Sequence, residues 1–303
     1  MRFLLAGASG FLGRAWASYL TSHDHEVVRL VRSEPSSAEE ARWDPYAGTL
    51  DRGLVESADV VANLAGAPLA HWPWTESYKR TFLDSRVVTT RVLAEAVASS
   101  DRKPVLLAQN GVAGYGDRGA EVITEDTPFD GDTFIADVSR RWQAAADPAV
   151  EAGARVVVLR TGVVLDRSGG ALKAMLPAFK AGVGGPIGNG KQYFATISLE
   201  DWLHAASSLA HDDSASGAYN LVGPDTSTNA EYTRELGRAL HRPTFFRVPA
   251  APLRAAGGVA GGELLSSARV EPRRLLDSGF AFAHADVADR VRAALEGFRA
   301  GRS

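Results

Sequence analysis

The sequence predicts an α/β protein in which a doubly wound parallel β-sheet is followed by a smaller C-terminal lobe. Three observations favour this fold class. An apolar run at residues 3–6 enters a glycine-rich turn and a helical pattern, apolar strands alternate with helices through the first half, and this alternation ends after Arg160. Such alternation is typical of a parallel sheet with helices on both faces. The first half is therefore predicted to be Rossmann-like, with ligands bound at the carboxyl ends of its strands.

The elements of the first half are predicted from apolar runs and amphipathic patterns. The predicted strands are Phe3–Ala6, Glu26–Val31, Asp59–Leu64, Val105–Ala108 and Arg155–Arg160. The predicted helices are Phe11–Leu20, Thr75–Ser99 and Asp137–Ala152.

The second half is less regular because glycines and turns interrupt it. A helix is predicted from near Glu200, strands at Ala218–Val222 and Phe245–Val248, a helix at Thr228–Leu240, and mostly helix over 264–298. Residues 249–262 are expected to form a mobile loop, and residues 184–191 either a lid over the site or a structural crossover. The predicted domains are an NAD(P)-binding domain at 1–165, to which residues near 196–215 return, and a substrate lobe at 166–303.

The composition is that of a soluble globular protein with a sizeable core. The chain has 303 residues, is 45% hydrophobic and 23% charged, and carries a formal net charge of −3. This charge gives no reason to expect nucleic acid or an anionic membrane as a partner. No apolar stretch approaches the roughly 20 residues of a membrane span, and the N-terminal strand leaves no room for a signal peptide. We therefore expect a cytoplasmic protein.

Cysteine is absent from the chain. Disulfides, thiolate metal sites and a cysteine nucleophile are therefore excluded. The seven histidines show no paired ligand spacing beyond His23-Asp-His25, and no metal site is predicted.

The most informative motif is the glycine turn, Gly7-x-x-Gly10-x-x-Gly13, between the first strand and the first helix. A strand, a tight turn and a helix N-terminus bring backbone N–H groups and a positive dipole end to one point, which is how dinucleotide folds bind a pyrophosphate. The predicted cofactor-binding residues of this turn are Gly7, Ser9, Gly10, Phe11, Leu12 and Gly13.

The end of the second strand indicates which dinucleotide is bound. An acidic residue at this place binds the ribose of NAD, whereas an arginine accommodates the 2′-phosphate of NADP. Arg32 directly follows the strand and can present a planar fork to a phosphate, while Glu34 is the competing signal. NADP is therefore predicted, with NAD less favoured. The alternative is that Arg32 is an ordinary surface charge.

Three motifs together resemble the extended short-chain dehydrogenase/reductase superfamily: the glycine turn, Asn63-Leu-Ala-Gly66 and Tyr115-Gly-Asp117. The stretches Gly184–Tyr193 and Arg273-Arg-Leu-Leu are similar to its atypical "epimerase family" subgroup. The resemblance implies NADP(H) binding and an oxidoreductase or epimerase function, with no established substrate for most members. It also places four further residues at the cofactor: Asn63, Leu64, Ala65 and Gly66.

The superfamily's usual chemistry needs Tyr-x-x-x-Lys on one helical face, where lysine lowers the pKa of the tyrosine and the tyrosine moves a proton. None of the seven tyrosines is followed four residues later by lysine. The best alignment puts Ile135 at the tyrosine position and Ser139 at the lysine position. The standard chemistry is therefore not predicted.

Asn110 and Tyr115 are the predicted catalytic residues, since both follow a strand beside the expected nicotinamide. An asparagine amide can donate to developing oxyanion charge, and Tyr115 is the nearest tyrosine that can give up a proton. Alternatively, both residues only shape a tight glycine-containing loop. Arg86 is predicted to bind the cofactor. It shares a helix face with Lys79, and either residue could hold cofactor phosphate or an anionic substrate; the alternative is a solvated helix face.

The leading hypothesis is an NADP(H)-dependent oxidoreductase acting on a small carbonyl substrate. A non-catalytic NADP(H)-binding redox sensor or regulatory protein is the first alternative, and a nucleotide-sugar epimerase is the second. We expect a small-molecule substrate as partner, and a monomer or homodimer.

Overall fold

The computed structural model describes residues 1–298, apart from the side chains of residues 252, 254–257 and 260. The strands are β1 Arg2–Ala6, β2 Glu26–Val31, β3 Glu40–Arg42, β4 Val60–Asn63, β5 Val105–Gly111, β6 Val122–Ile123, β7 Val156–Thr161, β8 Val163–Leu165, β9 Thr196–Ser198, β10 Gly217–Leu221 and β11 Arg269–Val270. The helices are α1 Phe11–Ser22, α2 Arg52–Glu56, α3 Glu76–Ser99, α4 Phe134–Ala144, α5 Asp147–Glu151, α6 Gly170–Lys180, α7 Leu199–His211, α8 Asn229–Leu240, α9 Ala250–Glu263, α10 Arg273–Asp277 and α11 Val287–Glu296. A short 3-10 helix spans Val112–Tyr115.

Seven strands form the central sheet in the order β10-β7-β5-β4-β1-β2-β3, and all neighbours are parallel. The chain order reverses between β1 and β4, so a crevice opens there at the carboxyl edge of the sheet. This architecture confirms the predicted fold class.

Each face of the sheet is covered by helices. On one face α1 packs against α7, and the indole of Trp16 meets that of Trp202 edge-to-face with ring centroids 5.8 Å apart. On the other face α3 buries Leu93 and Val97 against Leu4 and Leu106 of the sheet. The strands are apolar on both sides because both faces are covered.

The later part of the chain builds a second core and returns to the sheet at β10. Buried side chains of α6, α8 and α11 form this core, among them Leu176, Leu236 and Val291. Two small parallel pairs tie the parts together: β8 with β9, and β6 with β11. The predicted division at residue 165 stays a prediction.

Several elements differ from the sequence-based expectations. Residues 250–263 form helix α9, not a loop. The high helix propensity of the alanines outweighs the low propensity of the glycines. Gly258, with φ +52°, interrupts the helical geometry. Residues 245–248 form no strand, because Phe245 is 72% exposed and only Val248 makes an isolated bridge. The helix predicted over 137–152 is two helices, α4 and α5, and helix α6 was not predicted.

Two searches of the described residues gave negative results. Between residues 1 and 298 no helix is both long and apolar enough to cross a bilayer. In the same range no three His, Asp or Glu side chains are grouped so that they could hold a metal ion.

Candidate functional site

The glycine turn is shaped by backbone that approaches too closely for any side chain. Gly7 has φ +80°, and a Cβ there would lie 2.5 Å from the carbonyl carbon of Leu64. A Cβ on Gly13 would lie 2.2 Å from the Gly7 oxygen. The turn after β1 is therefore pressed against the segment after β4, and both line the crevice with main chain.

Helix α1 opens this turn with unused N–H groups. Gly10 is its N-cap and has no side chain that could cap it, while its own N–H donates to the Gly7 oxygen at 3.0 Å. The amides of Phe11, Leu12 and Gly13 have no acceptor within the helix, so they and the dipole favour an anion.

Two side chains border the opening of α1. The Phe11 ring packs over Gly169 and Gly170, where a Cβ on Gly169 would lie 2.3 Å from the ring. The Ser9 carbonyl accepts a hydrogen bond from the Arg14 guanidinium. The loop after β8 is therefore held against the side of the turn.

Asn63 shapes the segment that follows β4. Its side chain is fully buried, and its amide nitrogen donates to Thr89 Oγ1 at 3.1 Å and to Thr90 Oγ1 at 2.7 Å. Its oxygen accepts from the Ala65 N–H at 3.0 Å. Asn63 therefore positions Leu64, Ala65 and Gly66, and its own amide is committed to protein groups.

Arg86 supports the same segment from helix α3. Its guanidinium donates to the carbonyls of Phe82 and Ala67, each at 3.0 Å, and lies 3.5 Å over the Phe82 ring. Burial lowers the pKa of Arg86 to about 10. A Cβ on Gly66 would lie 3.1 Å from the Arg86 guanidinium carbon, so the two residues pack directly. The predicted contact of Arg86 with cofactor stays a prediction.

Arg32 lies at the rim, one residue beyond β2. It is exposed and makes no hydrogen bond or ion pair to residues 1–298. The competing carboxylate, Glu34, is paired with Arg42 on β3. This geometry leaves the Arg32 guanidinium available to a ligand.

The two predicted catalytic residues are both buried, and the polar atoms of each are hydrogen-bonded to other protein groups. Asn110 is buried within β5, where its amide donates to the Ser139 carbonyl at 3.0 Å and its oxygen accepts from the Gly111 N–H at 2.8 Å. Tyr115 is 1% exposed, and its hydroxyl donates to Asn220 Oδ1 at 2.8 Å. Their catalytic roles stay predictions, and both residues fix the local fold in this structure.

A buried polar cluster surrounds Tyr115. Arg160, 5% exposed, donates to the Tyr115 hydroxyl at 2.8 Å and to Gln143 Oε1 at 3.0 and 3.2 Å. Burial raises the pKa of the Tyr115 phenol, and Arg160 opposes part of that rise. Glu125 accepts from the Asn220 N–H at 2.9 Å, and burial raises the pKa of this carboxyl.

Helix α4 carries apolar packing where the usual tyrosine would be. Ile135 is buried with Phe82 of α3 and Val138 of α4, in a cluster that also includes Val259 of α9. Ser139 is buried one turn later. Neither side chain can supply the chemistry of the Tyr/Lys pair.

Comparisons with known proteins agree with this architecture. A family model described as the NAD dependent epimerase/dehydratase family matches residues 3–138, and a domain of unknown function, DUF1731, matches residues 248–294. An epimerase family protein of Mycobacterium bovis is 39% identical over 288 residues, covering 95% of this chain and 95% of that protein. The chain belongs to the epimerase family proteins.

Comparison with solved structures identifies the subgroup of the family. Human epimerase family protein SDR39U1, solved with NADPH, superposes with a TM-score of 0.89 at 33% identity, covering 98% of this chain and 100% of that one. UDP-N-acetylglucosamine 4-epimerase from Bacillus cereus matches with a TM-score of 0.75 at 14% identity, covering 96% and 97% of the two chains, which shows the fold alone. This epimerase family protein is thus of the SDR39U1 type and has an NAD(P)-binding fold.

Sequence reasoning missed one titratable group near α4. Glu263 ends α9, one residue beyond the stretch 249–262 that was predicted to be a mobile loop, and its carboxyl oxygen Oε1 accepts from Thr133 Oγ1 at 3.3 Å. The alanine content of residues 250–256 was the available signal, because a helix there carries Glu263 onto α4.

Proposed function

We propose that this epimerase family protein is an NADP(H)-dependent reductase of a small carbonyl compound. The observation that carries the proposal is the crevice floor, where glycines bring the main chain close and the open amides of α1 suit an anion such as a pyrophosphate. The superposition on human SDR39U1 solved with NADPH supports the same cofactor here.

The rim favours the phosphorylated dinucleotide over NAD. Arg32 is exposed with its guanidinium unengaged by residues 1–298, whereas Glu34, which would favour a ribose hydroxyl, is paired with Arg42. A fork-shaped cation at this place suits a 2′-phosphate.

Each part of the crevice has a role in this proposal. The amides of residues 11–13 hold the pyrophosphate, Arg32 holds the 2′-phosphate, and the segment Leu64–Gly66 forms the wall that Asn63 and Arg86 position. Bound NADPH would supply a hydride to the substrate. Loops of the C-terminal region would then set the substrate pocket.

Replacing Arg32 tests the choice of cofactor. Arg32→Ala should weaken NADPH binding about 10- to 100-fold, since a hydrogen bond to a charged group contributes roughly 1.5–3 kcal/mol. NADH binding should change less than about twofold, because NADH has no 2′-phosphate. Titration calorimetry of the wild type and the variant with both cofactors gives the four dissociation constants.

The matched control is Arg234→Ala on α8, another exposed arginine, which should leave both affinities unchanged. An equal loss for NADPH and NADH in Arg32→Ala would remove Arg32 from the 2′-phosphate site. Failure of the wild type to bind either cofactor would remove the proposed function itself.

A non-catalytic NADP(H) sensor is the second candidate. The observation that favours it is the buried Ile135 on α4, together with a Tyr115 hydroxyl already held by Asn220 and Arg160. Supplying NADPH with a panel of aldehydes, ketones and quinones, and following the nicotinamide absorbance, separates the two functions. Consumption supports the reductase, and tight binding without consumption supports the sensor.

A further inference from the structure

Reduction of a carbonyl requires a proton donor as well as a hydride, and neither position 135 nor the hydroxyls of Tyr78 and Tyr115 are free to be that donor. Position 135 is an isoleucine in an apolar cluster. The Tyr115 hydroxyl donates to Asn220, and the Tyr78 hydroxyl donates to the Pro68 carbonyl at 2.5 Å. An acidic side chain from another element at the crevice would supply the proton that α4, without a tyrosine, cannot.

Glu263 is such a group, and the packing of α9 on α4 brings it to the cleft. Val259 packs in the apolar cluster of Ile135, Phe82 and Val138. Glu263 lies four residues later on α9, so it shares the face that contacts α4. Its Oε1 accepts from Thr133 Oγ1 at 3.3 Å.

Thr133 fixes this contact because it is the N-cap of α4. Its hydroxyl oxygen accepts from the Ala136 N–H at 3.1 Å, which leaves the hydroxyl hydrogen directed to Glu263. The other carboxyl oxygen, Oε2, has no hydrogen-bond partner among the side chains that the structure describes. Thr133 thus holds the Glu263 carboxyl through Oε1, and Oε2 is not used in this contact.

The position is on the ligand side of the sheet. Strands β5 and β7 are parallel, so the chain between them, which includes α4, returns from the carboxyl edge to the amino edge. The first turn of α4 therefore lies at the carboxyl edge, where the glycine turn also lies. Asn110, at the end of β5, holds this helix through the Ser139 carbonyl.

The surroundings favour a neutral carboxyl. Burial raises the pKa of Glu263 to about 7, against a smaller opposing effect of the Thr133 hydrogen bond. Three cations of the surrounding elements are paired with carboxylates: Arg140 with Asp137 at 3.4 Å, Lys79 with Glu76 at 2.7 Å, and Arg118 with Asp130 at 2.5 Å. Arg86 of α3 donates instead to the Phe82 and Ala67 carbonyls. Asp132, in the loop before α4, is exposed. Among the side chains that the structure describes, no cation lies within ion-pair distance of Glu263.

We propose that Glu263 is the proton donor of the reductase, a catalytic acid delivered from the C-terminal region to the place where α4 has no tyrosine. This inference rests on the proposed function. The carbonyl carbon accepts the hydride and the carbonyl oxygen accepts the Glu263 proton, so C=O becomes H–C–O–H and NADPH becomes NADP⁺. The resulting carboxylate then recovers its proton from water.

Glu263→Gln is the first test, with the aldehyde, ketone and quinone panel as substrates and NADPH as reductant. The variant should lower kcat by about 10²–10⁴-fold, the usual effect of a lost general acid, and leave the NADPH dissociation constant unchanged. In the wild type kcat should fall as pH rises through about 7, because the protonated form is the active one, and this limb should vanish in the variant. The control Glu95→Gln, on the exposed face of α3, should keep both the rate and the pH profile.

A second measurement does not depend on turnover. Carboxyl-labelled ¹³C-glutamate NMR of the full chain with bound NADP⁺, assigned by the signal missing in Glu263→Gln, should show a carboxyl that titrates near pH 7. Titration near 4.5, the ordinary value for a glutamate, would overturn the role of Glu263 whatever the panel shows.

The remaining outcomes separate this inference from the proposed function. Loss of turnover in Tyr115→Phe with full turnover in Glu263→Gln overturns the role of Glu263 and keeps the reductase. NADPH binding without consumption by the wild type overturns both. Loss of turnover in Glu263→Gln, with normal NADPH binding and a carboxyl titrating near pH 7, supports both.

Discussion

Arg160 and Tyr115 form a buried polar contact near the predicted catalytic loop. The guanidinium has the Tyr115 hydroxyl and Gln143 as partners, and it stacks on the Phe129 ring at 3.9 Å. No carboxylate lies within ion-pair distance of Arg160 among residues 1–298. A buried cation without a carboxylate depends on neutral hydrogen bonds. Each of these partners therefore contributes to the stability of the fold.

Tyr115→Phe should therefore lower the free energy of unfolding by about 1–3 kcal/mol, since it leaves buried groups of Arg160 and Asn220 without a partner. Urea denaturation measures this loss. The exposed residue Tyr46 provides the control Tyr46→Phe, which should be neutral. Unchanged stability with lost turnover would instead favour the catalytic role predicted for Tyr115.

At the scale of elements, the start of α7 is joined to the segment before α11 by a small polar cluster. Asp201 is fully buried and accepts from Ser198 Oγ at 2.8 Å and from the N–H groups of Ala283 and His284 at 2.7 and 3.1 Å. Burial opposes ionisation of Asp201, but the hydrogen bonds from His284 and Ser198 outweigh it and lower its pKa. The Asp201 hydrogen bond in turn raises the pKa of His284.

This cluster predicts a pH-dependent stability. A raised pKa in the folded state means that the His284 contribution is fully present below its unfolded value near 6.5 and is lost as pH rises through the folded pKa. His284→Asn should therefore cost roughly 1.5–3 kcal/mol below pH 6.5, and the difference from wild type should shrink at higher pH.

Denaturant unfolding from pH 5 to 9 checks this prediction. His241→Asn is the matched control, because His241 is exposed and has φ +54°, a conformation that asparagine adopts readily. A constant difference between His284→Asn and wild type across the range would show that His284 does not titrate against Asp201.

The elements also show what the sequence can and cannot predict. Strands such as β1 and β7 were placed within one or two residues because burial on both faces produces continuous apolar runs. The same rule failed at Phe245–Phe246, which are apolar but 72% and 52% exposed. Helix α9 was missed because its stability comes partly from packing on α4, which no local pattern reveals.

The sequence predicted those parts of the candidate site that are formed by main chain. The glycine spacing, together with the strand before it and the helix after it, located the glycine turn, and strand order explains why Leu64 lies against Gly7. Side-chain roles depend on tertiary partners: Arg86 supports a loop through the Ala67 carbonyl, and Glu263 reaches Thr133 from 130 residues away. Neither contact follows from local sequence.

At the scale of the whole molecule, the crevice joins β1, β4 and the helix α1, so a bound dinucleotide should stabilise the entire fold. NADPH at 100 times its dissociation constant should add about 2.7 kcal/mol to the free energy of unfolding. Thermal unfolding with NADPH and with NADH at equal concentration measures this effect, and NADPH should give the larger increase in Tm. Equal increases would argue against a site that selects the 2′-phosphate.

The close approach of Gly7 to Leu64 has a consequence for anyone who wishes to re-engineer this scaffold. No side chain fits at Gly7 or Gly13, so these two positions cannot be mutated to tune affinity for one coenzyme over another. Directed evolution toward a different coenzyme would have to work through peripheral positions such as Arg32. A library that randomises residues 7 and 13 would return mostly misfolded clones.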